Sequence, residues 1–318
     1  MGLPSATAIL WMLLVLGLFA AARGDELASV DELASVQVAD ARPDTFLVGS
    51  AKGLESQGLF ALDVEASPRL RKIVPDKAPL TLPLPADLLG RPVAGCALTA
   101  EVWVLVAQQE TTPPTAKLLV LSKRRSDQLK LSQPPLEIPL TADAGPWSLI
   151  RAGRWLFVAR GSEILRAVHA NGGVGVLKPF MSMDHPVRDL TVDGKNYLAV
   201  LVDHGQQESR LVFFDPARQV ARPINDYPVT EKLQRIEFCA VSTGLVWPLY
   251  ATSEKGFHRV ELSLSEQGQL VALPVLVCRT EAAPRSLVGR HAAGRQVGSL
   301  FAVVGDKVLR IDPPTLEK

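Results

Sequence analysis

The chain reads as an all-β protein, a six-bladed β-propeller of four-stranded antiparallel blades over residues 37–318, and three observations predict it. The first is Val187–Ile224, where four short apolar runs are divided by Asp193-Gly194, Asp203-His204-Gly205 and Asp215-Pro216. Runs of four to eight residues rich in Val, Leu, Phe and Tyr between such turns are strands. The second is repetition. Aromatic-led strands open at Phe46, Trp103, Trp155, Tyr197, Trp247 and Phe301, 42 to 57 residues apart. The third is a following strand in each copy: LFALD (59–63), LLVLS (118–122), ILRAV (164–168), LVFFD (211–215), FHRVE (257–261) and VLRID (308–312). Four strands per unit at this period is the signature of a propeller blade. A two-sheet sandwich with evenly spaced strands is the alternative.

In chain order, residues 1–24 read as a secretory signal peptide. Ala8 to Ala22 is an apolar core of fifteen residues, followed by the small-residue site Ala22-Arg23-Gly24. An uncleaved anchor is the competing reading, since the apolar-tolerant run from Ala6 is seventeen residues long. Residues 25–36 are a tandem repeat, DELASV-DELASV, read as a linker or as a ring-closing strand. The ring-closing reading arises because the sixth copy ends at Lys318 with little room for a fourth strand; Leu27–Val30 or Leu33–Val36 would supply it. The Phe46 strand is expected to be second in its blade, as in the other copies. Residues 75–95 carry five prolines and are expected to form a long connection, because proline removes ladder donors.

The blade pattern of LVFFD before Pro216 and VLRID before Pro313 resembles extracytoplasmic six-bladed propellers of the NHL, TolB-like and gluconolactonase/paraoxonase groups. The resemblance implies a ring with its functional face at the channel mouth. In the lactonases of that class it implies calcium held by Glu, Asn and Asp, including an early E-G-P and a P-N-G stretch. Neither tripeptide occurs here, and Asn stands only at 171, 196 and 225. The chain is therefore expected to have the ring without that site.

Composition narrows the function. With 34 basic and 33 acidic residues the net charge is +1, which supplies no field for nucleic acid. The hydrophobic fraction of 47% is enough for a proper core. No Asn-x-Ser/Thr sequon occurs, which agrees with a bacterial envelope protein. Three cysteines, Cys96, Cys239 and Cys278, are an odd count for an oxidising compartment. Two fall on innermost strands and one on an outermost strand, about 14 Å apart within one blade at ~4.7 Å per strand, so they are expected to be unpaired, buried thiols. No catalytic elbow, phosphate loop, zinc motif or dinucleotide motif is found, and no cofactor is expected.

These readings favour a secreted or periplasmic protein-interaction or scaffold module, with an envelope or extracellular protein as partner and no stable membrane insertion after cleavage. A divergent metal-dependent lactonase-like hydrolase and a small-ligand sensor domain are the alternatives. The expected face carries Lys52, Glu110, Arg160, Glu163, Asp203, Glu254, Lys255, Asp306 and Lys307. One cluster has site chemistry: Asp184-His185 and Asp203-His204, on two connections that blade topology brings to one face. Two carboxylates and two imidazoles could hold a divalent ion or pair a base with its orienting acid. Asp capping a tight turn before Pro186 or Gly205 is the alternative. Mass spectrometry of the exported chain should find its N-terminus between Arg23 and Asp25; intact Met1 in a membrane fraction would instead establish the anchor.

Overall fold

The computed structural model describes residues 33–50, 59–64, 68–73, 80–85, 90–99, 101–109, 111, 115–123, 128–139, 145–170, 173–193, 195–205, 208–218, 222–239, 248–265, 267–290 and 298–313. The leader, the first DELASV copy, Lys52, Glu110 and Trp247 lie outside the described residues. Every regular element among the described residues is a strand.

The strands follow one another as antiparallel meanders. After β1 (Ser35–Asp40) come β2 (Phe46–Ser50), β3 (Leu59–Asp63), β4 (Arg69–Ile73) and β5 (Leu80–Pro83), paired in that order. Next are β6 (Arg91–Thr99), β7 (Val102–Gln109) and β8 (Thr115–Ser122), with the short β9 (Lys130–Leu131) and β10 (Leu136–Ile138) both pairing β8. Then β11 (Ser148–Ala152), β12 (Trp155–Arg160) and β13 (Glu163–Ala170) carry β14 (Gly173–Val174) and β15 (Lys178–Ser182) on the β13 edge. β16 (Val187–Val192), β17 (Leu198–Asp203), β18 (Ser209–Phe214) and β19 (Pro223–Val229) are followed by β20 (Arg235–Phe238), β21 (Leu249–Ser253), β22 (Gly256–Leu264) and β23 (Leu270–Arg279). Last are β24 (Ser286–Arg290), β25 (Ser299–Val304) and β26 (Lys307–Ile311).

Two departures from the sequence reading have physical causes. Phe46 heads the innermost strand of its meander, not the second. β2 contacts the innermost strands on both sides, β6 and β24, so its neighbours in sequence each move one place outward. The place left outermost is filled by β5, from within the proline-rich stretch. An edge strand needs no second ladder, so Pro83 is tolerated there. At the other end, Ser35 and Val36 of the second DELASV copy open β1, which pairs antiparallel with β26 and completes a four-stranded sheet β1-β26-β25-β24. The Leu33 amide donates to the Val277 carbonyl at 2.7 Å, which seats the approach to β1.

Packing links each meander to the next. Phe60 and Leu70 meet Trp103 and Leu119, Val104 and Leu118 meet Leu149 and Leu156, and Phe157 meets Val212 and Phe214. Leu201 and Tyr227 meet Ile236 and Leu249, Tyr250 and Phe257 meet Leu300 and Ile311, and Phe301 and Val308 return to Leu47 and Ile73. The innermost strands touch in the matching circuit β2, β6, β11, β16, β20, β24 and back to β2. Middle strands such as LFALD and LAVLV are therefore buried on both faces, which is why they are apolar throughout and do not alternate.

Cys96, Cys239 and Cys278 are free thiols, all buried. Burial pushes the Cys96 thiol up to about 12, with Arg151 opposing weakly, and drives Cys239 up as well. A thiolate-directed reagent should thus leave all three unlabelled in the folded protein and label all three in denaturant. Fast labelling of Cys96 before unfolding would show that its strand is open to solvent.

Candidate functional site

The two Asp-His pairs lie at one end of the β16–β17 pair. The register sets Val187 opposite Val202, and the Asp203 amide donates to the Pro186 carbonyl at 2.8 Å, which ties the two connections together. His185 and His204 consequently meet edge to face, with ring centres 4.6 Å apart and planes at 87°. The carboxylates do not join them. Asp184 receives the Arg210 guanidinium at 2.9 Å, and Asp203 receives Arg188 Nε at 2.8 Å. Asp203 also accepts the Gly205 amide at 3.4 Å across a turn where Gly205 has φ 128°. Only glycine holds that angle freely. Around Asp184 the little burial there is would raise the pKa, but Arg210 outweighs it and holds the carboxyl below its usual range.

A second group sits at the inner wall, on β16 and β20. Asp189 accepts the Ser148 hydroxyl at 2.9 Å from β11 and the Ile236 amide at 3.0 Å from β20, with Arg235 Nη1 at 3.5 Å. Glu237 is two residues beyond Arg235 and lies against the Gly289 backbone. Burial, and then the neighbouring Asp189 charge, push Glu237 well above the ordinary carboxylate range, and the Gly289 amide offsets this only in part. Burial raises Asp189 too, against Arg235 and its hydrogen bonds. Asp189 is nearly closed to solvent, whereas Glu237 keeps partial access. Two carboxyls in each other's field both resist ionisation, a condition that suits acid–base work. This pair escaped the sequence reading because one acid inside VRDLTV or RIEF looks like the outward face of an alternating strand.

A third group joins β21, β22 and the connection before β20. Ser253 Oγ lies 2.7 Å from His258 Nε2, and His258 Nδ1 lies 3.6 Å from Glu231 Oε2. Burial lowers the His258 pKa, Glu231 pulls the other way, and Lys255 adds to the lowering, so the ring stays neutral. Hydroxyl, imidazole and carboxylate are in relay order. The hydroxyl is nevertheless closed, because Ser253 and His258 are 2% and 1% exposed and the Lys255 amide donates to Ser253 Oγ at 3.1 Å. The group fastens the β21–β22 turn to the chain entering β20.

No family model and no curated protein matches the chain. Solved structures do. A gluconolactonase from Xanthomonas campestris has a TM-score of 0.57 at 12% identity, over 91% of this chain and 94% of that one. An aldose sugar dehydrogenase from Streptomyces coelicolor has 0.56 at 12%, over 88% and 98%. A glucose dehydrogenase has 0.55 at 14%, over 88% and 99%. The fold is that of a β-propeller. At such identities the likeness carries architecture alone. The donors of the inner wall do not fit the calcium that the resemblance implies for the lactonases of that class. Asp189 has both oxygens engaged by protein donors, Glu237 favours its proton, and no group of three or more His, Cys, Asp or Glu is placed to hold a metal among the described residues.

The raised Glu237 fixes a sign. Its folded pKa lies above the unfolded one, so its stabilising contribution is whole below the unfolded value of about 4.5 and is lost as pH rises toward the folded value. Glu237→Gln should therefore unfold at a higher temperature than wild type at pH 7–8, with the gap closing near pH 4. Each unit of elevation is worth ~1.4 kcal/mol at high pH. A gap that is flat with pH in thermal scans would mean Glu237 is ionised in the fold.

Proposed function

We propose that the chain is a six-bladed propeller of four-stranded blades, exported to the periplasm or the exterior, and that its inner wall hydrolyses a small lactone-like ester. The circuit of innermost strands and of the clusters between meanders supports the blade count, with β9 with β10 and β14 with β15 sharing the outermost place in two blades. The apolar leader supports export. The observation that carries the activity is the Glu237–Asp189 pair beside Arg235 on adjoining inner strands.

The residues have separable roles in such a reaction. Water adds to the lactone carbonyl, and Arg235 faces the negative charge that develops on oxygen. Glu237, whose pKa burial holds well above the ordinary carboxylate range, gives its proton to the departing ring oxygen as the C–O bond breaks. The proton released by the attacking water restores it. Asp189 positions Arg235 and keeps the Glu237 proton in place. That solved neighbours include a gluconolactonase and sugar dehydrogenases is consistent with a small polyhydroxy substrate.

The purified chain should open δ-gluconolactone or a related lactone faster than buffer in a pH-stat, and Glu237→Gln should lower the rate by about 10²–10⁴-fold. A wild-type rate equal to background across a lactone panel, or an unimpaired variant, would defeat the hydrolase reading. A second reading, an interaction module for an envelope or extracellular protein, rests on the mixed-charge face. There Arg160 and Glu163 flank the β12–β13 turn, Glu254 and Lys255 form the β21–β22 turn, and Asp306 lies in the β25–β26 turn with Lys307 opening β26. A stoichiometric envelope partner lost on reversing these charges, with no lactonase rate, would favour it.

A further inference from the structure

The first and last meanders meet across a seam whose character changes along its length. Leu59, Ala61 and Ile73 pack there against Val303 and Val308. Toward the Asp63 end of the same face the seam becomes polar: the register sets Asp63 opposite Arg69, and Arg71 opposite Thr81. Arg69 and Arg71 are two residues apart on β4, so their side chains share one face of the sheet. Together with Asp40 and Arg42, where the chain leaves β1, these residues line a cavity of about 330 Å³.

The acids of this cavity are engaged, whereas its bases keep free donors. Asp63 is buried and accepts Thr45 Oγ1 at 2.7 Å, Arg71 Nε at 3.0 Å, Arg71 Nη2 at 3.1 Å and Arg69 Nε at 3.3 Å. Burial would raise its pKa, but Thr45, Arg71 and Arg69 outweigh that and hold the carboxyl below its usual range. Asp40 accepts Gln37 Nε2 at 3.0 Å. Arg71 Nη2 also donates to the Asp40 carbonyl at 2.9 Å, which fixes this guanidinium between the two meanders. Arg69 gives up only Nε, Arg71 keeps Nη1, and the Arg42 guanidinium has no acceptor among the described residues. A buried carboxylate thus holds two guanidinium groups side by side with their outer nitrogens unclaimed. Such donor forks match the oxygens of a phosphate group. We propose that this seam binds one phosphate group, free or esterified on a small molecule, through Arg69, Arg71 and Arg42, with the Thr81 hydroxyl as a further donor. A ligand there would clamp the two ends of the chain together.

The test titrates the full chain with inorganic phosphate at neutral pH and fixed ionic strength. The arginine Nε–Hε resonances are followed by NMR, the Arg69 and Arg71 signals being assigned through Arg69→Lys and Arg71→Lys. Phosphate should shift both signals saturably, with one equivalent bound, and raise the unfolding temperature. Arg42→Gln combined with Arg69→Gln should weaken binding ~10-fold or more, because charge-assisted hydrogen bonds are lost. Saturation by glycerol 3-phosphate at lower concentration than by inorganic phosphate would identify the esterified ligand, and the reverse order the free ion. Three results would overturn the proposal: no saturable shift with either probe; an affinity unchanged in the double variant, which would place the anion elsewhere; or the same shifts produced by chloride at equal ionic strength, which would reduce the effect to screening.

Discussion

The ring depends on hydrogen bonds that run around it, from side chains of one innermost strand to backbone amides of the next. Neighbouring innermost strands head the same way and splay, so backbone ladders cannot join them fully; β2 and β6 share only the pairs Gly49↔Cys96 and Ser50↔Ala97. Elsewhere a short polar side chain bridges the gap. Ser148 Oγ accepts the Leu190 amide at 3.1 Å, Asp189 accepts the Ile236 amide, and Ser286 Oγ accepts the Leu47 amide at 3.0 Å. A buried amide left without a partner costs roughly 1–3 kcal/mol. These residues therefore satisfy the inner strands where the sheets end. The Ser286–Leu47 bond does so across 239 residues of sequence, at the seam where the two ends of the chain meet.

The same requirement accounts for the chemistry of the inner wall. Asp189 serves three elements at once, taking donors from β11 and β20 while it sits on β16. Its charge is compensated by Arg235, which also donates to the Arg285 carbonyl at 3.3 Å just before β24. Glu237 is offset only in part, by the Thr191 side chain and the Gly289 amide. It lies next to a charge of its own sign, and burial pushes its carboxyl well above the ordinary range, a locally unfavourable arrangement that the closed ring imposes. A carboxyl whose pKa is held up by burial is suited to donate a proton, which is the role the proposed hydrolysis gives Glu237.

Away from the wall, ion pairs on the connecting face work differently. Arg210 between Asp184 and Asp226, and Arg188 on Asp203, occupy the carboxylates that would otherwise have turned toward the histidines. Such pairs at partly exposed positions contribute little to stability, roughly 0–1 kcal/mol each. Their larger effect is to decide which donor atoms remain free. The imidazoles of His185 and His204 are left facing each other.

Strand identity was legible in the sequence because it is set locally. Turn residues such as Asp215-Pro216 and apolar runs such as LVFFD specify strands whatever surrounds them, and their period announced a propeller. The meeting of His185 with His204 was legible too, since it follows from two hairpin connections of one meander. Other features were settled only by the folded ring. Phe46 leads an innermost strand because β6 and β24 flank it, a relation between segments far apart in sequence. Asp189 and Glu237 read locally as outward-facing acids, and became neighbours in each other's field only when β16 and β20 were laid side by side. Burial and charge proximity are properties of three-dimensional neighbours. The sequence alone thus determined most of the strands, though not β5, and the tertiary structure decided which of their polar residues face water and which face one another.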